Sequence, residues 1–194
     1  RRHSFPTRRS SDLAYPDVLQ VEADASLTGC EPVLMEAVAG ALRGLDEMRC
    51  REGEALAADF RERLTVLTSL KERLEQLAPE IVAAHRARLE QMLGELLAAQ
   101  DIDESRIIQE TALYADKVNY TEETVRLGSH FAQFSSILAS AAGPVGRKLD
   151  FLIQEMNREA NTIGSKCNSA KAAQLVVDLK SEIEKLREQV QNIE

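Results

Sequence analysis

The chain predicts an all-α fold, and three observations carry that reading. Leu56, Phe60, Leu64, Leu67, Leu70 and Leu74 recur every three or four residues, the spacing that lines one face of a helix with apolar side chains. Leu149, Leu152, Ile153, Met156 and Ala160 repeat the pattern, as do Val176, Leu179, Ile183, Leu186, Val190 and Ile193. Helix-breaking residues fall between these stretches, at Leu77-Ala78-Pro79, Asn119-Tyr120-Thr121 and Gly143-Pro144.

Taken in order, residues 14–31 read as a linker, with Pro16 and Gly29 in a loop. Pro32 opens a long amphipathic stretch. Pro79 lacks an N–H and restricts the residue before it, so a bend is expected there. Ile81, Val82, Leu89, Leu93, Leu96 and Leu97 would carry a second helix back. Residues 32–99 are therefore predicted to form a long antiparallel helical hairpin arm, suited to assembly or gating.

Residues 100–194 are predicted to form a compact helical bundle. The acidic stretch 101–104 starts a helix over Glu104–Lys117. Thr121 is the expected N-cap of a helix over Glu122–Ala139, with Glu122 and Glu123 in its positive first turn. Pro144 suits the first turn of a helix over Val145–Ala160, where its missing N–H costs nothing. The last helix, about Ser169–Asn192, carries a heptad-like seam and the surface pairs Glu182–Lys185 and Glu184–Arg187. It is too short for a free coiled coil and reads as a bundle helix.

Residues 3–13, HSFPTRRSSDL, resemble a translated sequencing-library adapter, so residues 1–13 are expected to be an artefactual, disordered leader. The whole chain has 24 Lys+Arg and 32 Asp+Glu. The leader holds four arginines and one aspartate, leaving 20 basic and 31 acidic residues, a net of −11. Such a body repels phosphate overall, so any nucleic-acid contact must be local. Lys117, Arg126, Arg147, Lys148, Arg158 and Lys166, in the same part of the chain as the polar motif described next, are the candidates for such contact. Cys30, Cys50 and Cys167 have an odd count and no CxxC spacing, which suits a reducing compartment. With no membrane-length apolar run and no secretory leader, a cytoplasmic location is expected.

Residues 143–169, GPVGRKLDFLIQEMNREANTIGSKCNS, concentrate acids, bases and amides. Glu155 and Glu159 lie one turn apart on one edge of the apolar stripe, where carboxylates are partly desolvated and metal ions can be held. A solvated face or a structural ion pair is the plainer reading of that spacing. Asn161-Thr162-Ile163-Gly164-Ser165-Lys166 suits a turn that offers hydrogen bonds and a cation to a phosphate. It is not a P-loop, because the glycine spacing is wrong and the lysine follows the serine. Glu123, Arg126 and His130, spaced three and four apart, form a second candidate cluster. His85, on the predicted arm, has no such company. Cys167 reads as space-filling and not as a nucleophile.

The strings RKLDFLIQEMNREANTIGSK and QLVVDLKSEIEKLREQVQNIE resemble the carboxy-terminal part of the YicC/YloC family of bacterial endoribonucleases. REGEALAADFRERL at 51–64 and TEETVRLGSH at 121–130 are similar to that family in the same order. The resemblance covers about residue 14 to Glu194 and suggests that Glu194 is the natural terminus. It implies a homo-oligomer and an amino-terminal strand-rich domain, which is expected to be missing from this sequence. It also implies an acidic residue just before the TEE segment, where this chain has Val118-Asn119-Tyr120.

The activity implied by the resemblance is metal-dependent endonucleolytic hydrolysis of RNA phosphodiester bonds, with no DNA preference expected. Glu155, Glu159 and His130 are the expected catalytic residues. Glu155 and Glu159 would hold Mg²⁺ or Mn²⁺ through oxygen, and His130 would serve as general base or acid. Arg126, Arg158 and Lys166 would bind the phosphate, while Asn161 and Ser165 orient the backbone. With that domain expected to be missing, an inactive fragment is compatible with the activity that the resemblance implies. The alternatives are a non-catalytic helical oligomerisation or scaffold module and an RNA-binding adaptor. With 4% aromatic residues and no Trp, backbone and shape recognition is favoured over base stacking.

Overall fold

A computed structural model describes residues 29–96, 104–140 and 143–193. It contains α1 (Glu31–Leu96), α2 (Glu104–Lys117), α3 (Thr121–Ser140), α4 (Gly146–Lys166) and α5 (Ala170–Val190). No strand occurs among the described residues, so the all-α expectation holds. The proposed leader 1–13, the linker up to residue 28 and the acidic stretch 101–103 lie outside the described residues.

The chain divides into two compact units, residues 1–50 and 51–194. In the first, Gly29 adopts φ +111°, a conformation that L side chains rarely take, two residues before α1 begins. From Glu31 to Cys50 every side chain but that of Ala39 is exposed, including Val33, Leu34, Met35, Val38, Leu42, Leu45 and Met48.

The second unit holds the core. Phe60, Leu64, Leu67, Leu70 and Leu74 are buried, as their spacing predicts, together with Ile81. Phe60 meets Phe134 of α3 edge to face, with ring centroids 5.6 Å apart. Helix α4 packs against both α3 and α5, and its stripe of Leu149, Leu152, Ile153, Met156 and Ala160 is buried throughout. Val176, Leu179, Ile183, Leu186 and Val190 of α5 close the core from the other side. Both expected surface pairs on α5 are present, Lys185 on Glu182 and Arg187 on Glu184. Arg63 of α1 reaches Glu182 at 3.3 Å.

The predicted hairpin does not form. Pro79 lies inside α1, which runs on to Leu96. An interior proline costs a helix about 3 kcal/mol. Against that, Leu74 and Ile81 are buried on either side of it, and Leu77, Ala78 and Val82 pack on the same core. Each large aliphatic side chain so buried contributes roughly 1.5–3 kcal/mol, and a reversal at residues 77–79 would carry Ile81 and Val82 off that surface. Pro79 itself is exposed, so its ring displaces only solvent.

Helix α4 also departs from expectation. It continues past Ala160 to Lys166, and residues 161–166 are its last turns, not a phosphate-binding loop. The short polar side chains serve the helix: Thr162 Oγ1 donates to the Arg158 carbonyl and Ser165 Oγ to that of Thr162. Ile163 is fully buried between them. A Cβ at Gly164 would stand 3.2 Å from Val176 Cγ1, so glycine permits the close approach of α5. At the other end Val145 is the cap residue of α4, and Pro144 precedes it.

At the start of α3, Asn119 replaces the expected Thr121 cap: Asn119 Oδ1 accepts the Thr121 N–H at 2.9 Å. Thr121 is already helical. Val118 and Tyr120 on either side of Asn119 are buried, and Tyr120 Oη donates to the Leu74 carbonyl of α1 at 2.8 Å. The Val118-Asn119-Tyr120 segment thus supplies the helix start without an acid.

Candidate functional site

Antiparallel packing of α3 on α4 determines which polar side chains meet. Near the start of α3, Glu123 is buried and its Oε1 accepts from Lys166 Nζ at the end of α4, at 2.7 Å. Its second oxygen, Oε2, is buried without a hydrogen-bond partner among the described residues. One turn further along α3, Arg126 pairs with Glu122 on its own helix. It also approaches Glu159 of α4, with Nη1 3.5 Å from Oε1. The Glu159 side chain is only 6% exposed, so the arginine is its route to charge compensation. Another turn on, His130 is partly buried and its Nδ1 has no hydrogen-bond partner among the described residues.

These side chains border one cavity of about 330 Å³, lined by Arg126, Ser129, His130, Glu155, Arg158 and Glu159. Five residues expected from the sequence therefore converge: Arg126 and His130 from α3, and Glu155, Arg158 and Glu159 from α4. Glu155 is partly buried and Arg158 exposed, and neither has an ion-pair partner among the described residues. The cavity thus offers a free carboxylate, a compensated one, two guanidinium groups and an imidazole.

The other three expected residues stand elsewhere. Lys166 is engaged by Glu123, Ser165 by the Thr162 carbonyl, and Asn161 is exposed on the last turns of α4. None of them lines the cavity. Ser129 does, and its position next to His130 in sequence gives little signal, because adjacent residues point about 100° apart around a helix. Glu122, the second partner of Arg126, was not paired with it in the sequence reading, although the i,i+4 spacing carries that signal.

The donor set bears on the expected metal. Among the described residues no group of three or more His, Cys, Asp or Glu gathers in a way that could hold an ion. Two carboxylates, one of them already against Arg126, do not make an all-protein cage. Carboxylate oxygen is nonetheless the donor type that a hard cation of the Mg²⁺ type takes, since it keeps several waters and binds substrate phosphate oxygens beside one or two carboxylates.

Burial shifts two neighbouring groups. The Tyr120 phenol is pushed up to about 12 by burial, with the nearby Cys167 adding to the effect. Burial also raises the Cys167 thiol above its ordinary value, and its Sγ points at the Gly164 carbonyl at 3.5 Å. Both features favour the space-filling reading of Cys167 over a nucleophilic one. Among the described residues no helix is long and apolar enough to cross a membrane.

Comparison with known proteins points one way. The chain is 45% identical over 184 residues to a protein named probable endoribonuclease YicC from Clostridioides difficile (strain 630), covering 93% of this chain and 62% of that protein. It is 36% identical over 182 residues to a protein of the same name from Haemophilus influenzae (strain ATCC 51907 / DSM 11121 / KW20 / Rd), covering 94% and 62%. The chain thus spans about three fifths of the length of these curated relatives. Residues 74–194, more than half of the chain, match the family described as endoribonuclease YicC-like, C-terminal, and the chain belongs to that family.

Proposed function

We propose that this chain is the helical part of an endoribonuclease that hydrolyses RNA phosphodiester bonds at the α3–α4 cavity. The observation that carries the reading is the convergence of His130, Glu155 and Glu159 with Arg126 and Arg158 around one cavity. Arg158 has no anionic partner among the described residues, and Arg126 lies at the cavity wall, so both guanidinium groups can bind the scissile phosphate and stabilise charge that develops on it. His130 would act as general base or acid. Its unpartnered Nδ1 leaves the tautomer free of any protein hydrogen bond on that nitrogen.

Glu155 and Glu159 would hold Mg²⁺ or Mn²⁺, which supplies Lewis-acid polarisation of a phosphoryl oxygen when bound. Glu155 is the better placed, because Glu159 already shares its charge with Arg126. Lys166 contributes through Glu123, fixing the register of α3 on α4 so that Arg126 and His130 face Glu159 and Glu155. Assembly as a homo-oligomer belongs to the same reading, and the exposed apolar side chains between Val33 and Met48 support it.

A rival reading has a specific observation behind it. Glu123–Lys166 and Glu159–Arg126 are interhelical ion pairs of the kind that specify packing, which would suit a non-catalytic helical scaffold. The deciding experiment assays cleavage of a labelled structured RNA by the full-length enzyme in Mn²⁺, Mg²⁺ and EDTA, with Glu155→Gln, Glu159→Gln and His130→Ala beside wild type. We expect metal-dependent cleavage, reduced roughly 10²- to 10⁴-fold by His130→Ala and at least as much by Glu155→Gln. Full activity of both glutamine variants would remove the reading, and a folded wild type that cuts nothing would leave the scaffold.

A further inference from the structure

His85 on α1 and Tyr114 on α2 stack, with ring centroids 3.5 Å apart and planes within 8° of parallel. Both rings are partly exposed and both line a cavity of about 420 Å³, together with Glu80, Arg88, Asn168, Ser169 and Lys171. The cavity shares no lining residue with the one that holds Glu155 and Glu159.

The polar groups there are mostly hydrogen-bond donors. Asn168 Nδ2 donates to Tyr114 Oη at 3.3 Å, so the phenol uses a lone pair in that bond and keeps its own proton for another acceptor. Arg88 and Lys171 are exposed and have no ion-pair partner among the described residues. In a chain of formal charge −8, two unpaired cations beside a single carboxylate, Glu80, reverse the local sign. Lys171 stands in the first turn of α5, whose cap residue Ser169 makes no side-chain cap bond. The Ser169 hydroxyl and the first N–H groups of α5 add to the same set.

Donors of this kind match the oxygens of a phosphate, and a stacked imidazole–phenol pair matches the π face of a base. We propose that this cavity binds a phosphorylated nucleoside unit, its phosphate on Arg88 and Lys171 and its base against the His85–Tyr114 pair. The site is separate from the cleavage cavity and requires no chemistry there. It also gives His85 a partner that its sequence neighbourhood lacks.

The chemistry is shared by a free nucleotide and by one nucleotide within a strand, and two probes separate them. Adenosine monophosphate and a short fluorescent oligoadenylate would be titrated into the chain in EDTA, so that nothing is cut, over a series of salt concentrations. We expect Arg88→Ala/Lys171→Ala to weaken oligoadenylate binding roughly tenfold or more. The slope of log affinity against log salt should fall by about 0.7 for each cation removed. His85→Ala should weaken binding roughly fivefold or more through lost stacking.

Circular dichroism would verify that these variants of exposed or partly exposed residues keep their helices. Binding of the strand alone assigns the site to a nucleotide unit of RNA; binding of both probes assigns it to free nucleotides as well. Absence of binding by wild type, or an unchanged affinity and salt slope in the double variant, overturns the proposal. A protein that binds in this way but cleaves nothing would keep this site and lose the nuclease reading.

Discussion

Lys166 Nζ lies 2.7 Å from Glu123 Oε1 and ties the last turn of α4 to the first turn of α3. The carboxylate is 7% exposed, and its other oxygen has no partner among the described residues. Removing the lysine would leave a buried charge uncompensated. A fully buried pair broken on one side costs about 3–5 kcal/mol. Because the Lys166 side chain is 34% exposed, Lys166→Met is expected to destabilise by about 2 kcal/mol, after discounting for solvent screening. Lys166→Met/Glu123→Leu should recover most of that loss. Urea denaturation of the two single variants and the double variant measures the coupling, and strictly additive losses would deny it.

Pro79 sits in the interior of α1, where it removes one backbone hydrogen bond. Pro79→Ala should therefore raise stability, by roughly 1–3 kcal/mol, and increase the thermal midpoint without changing helix content. Were residues 77–79 a bend in solution, the same substitution would leave the midpoint unchanged or lower it.

Tyr120 makes stability fall at high pH. Its phenol is 1% exposed and its pKa stands at about 12 against an ordinary 10. The folded chain therefore keeps the proton after the unfolded chain has lost it. The contribution is whole below pH 10 and is lost as pH rises through about 12, a total of about 3 kcal/mol. Tyr120→Phe should remove this part of the pH dependence. At neutral pH it should cost about 1 kcal/mol, from the lost bond to the Leu74 carbonyl. Denaturant titrations of both proteins between pH 8 and pH 12 give the comparison.

The three thiols should react at two speeds. Cys30 and Cys50 are exposed, whereas Cys167 is partly buried and its thiol is raised by that burial. At neutral pH less of Cys167 is thiolate, so a disulfide reagent should label Cys30 and Cys50 quickly and Cys167 slowly. Denaturation should bring Cys167 to the common rate. Equal labelling in the native protein would contradict the burial described for it.

Much of the lining of the candidate cavity was legible in the sequence because its residues lie on two helices with strong periodicity. Glu155 and Glu159 flank a stripe that had to face a core, and Arg126 and His130 repeat at three-to-four spacing. Once α3 packs on α4, those edges face each other. Lys166, Asn161 and Ser165 were harder to place, because the same short polar residues suit a phosphate-binding turn and a helix end stitched by its own carbonyls. Ile163, buried at 0% exposure, decides between them by holding the segment helical.

By itself the sequence determined the helical class, the buried stripes of α4 and α5, and the surface pairs of α5, all of which depend on spacing within a few residues. Tertiary structure decided the rest. Pro79 stays within a helix because the core holds Leu74 and Ile81 on both sides of it. Lys166 turns to a carboxylate 43 residues away, and His85 finds Tyr114 on another helix. The physical reason is common to all three. Local propensity is worth a few kcal/mol at most, and contacts between helices, which no spacing rule contains, outweigh it.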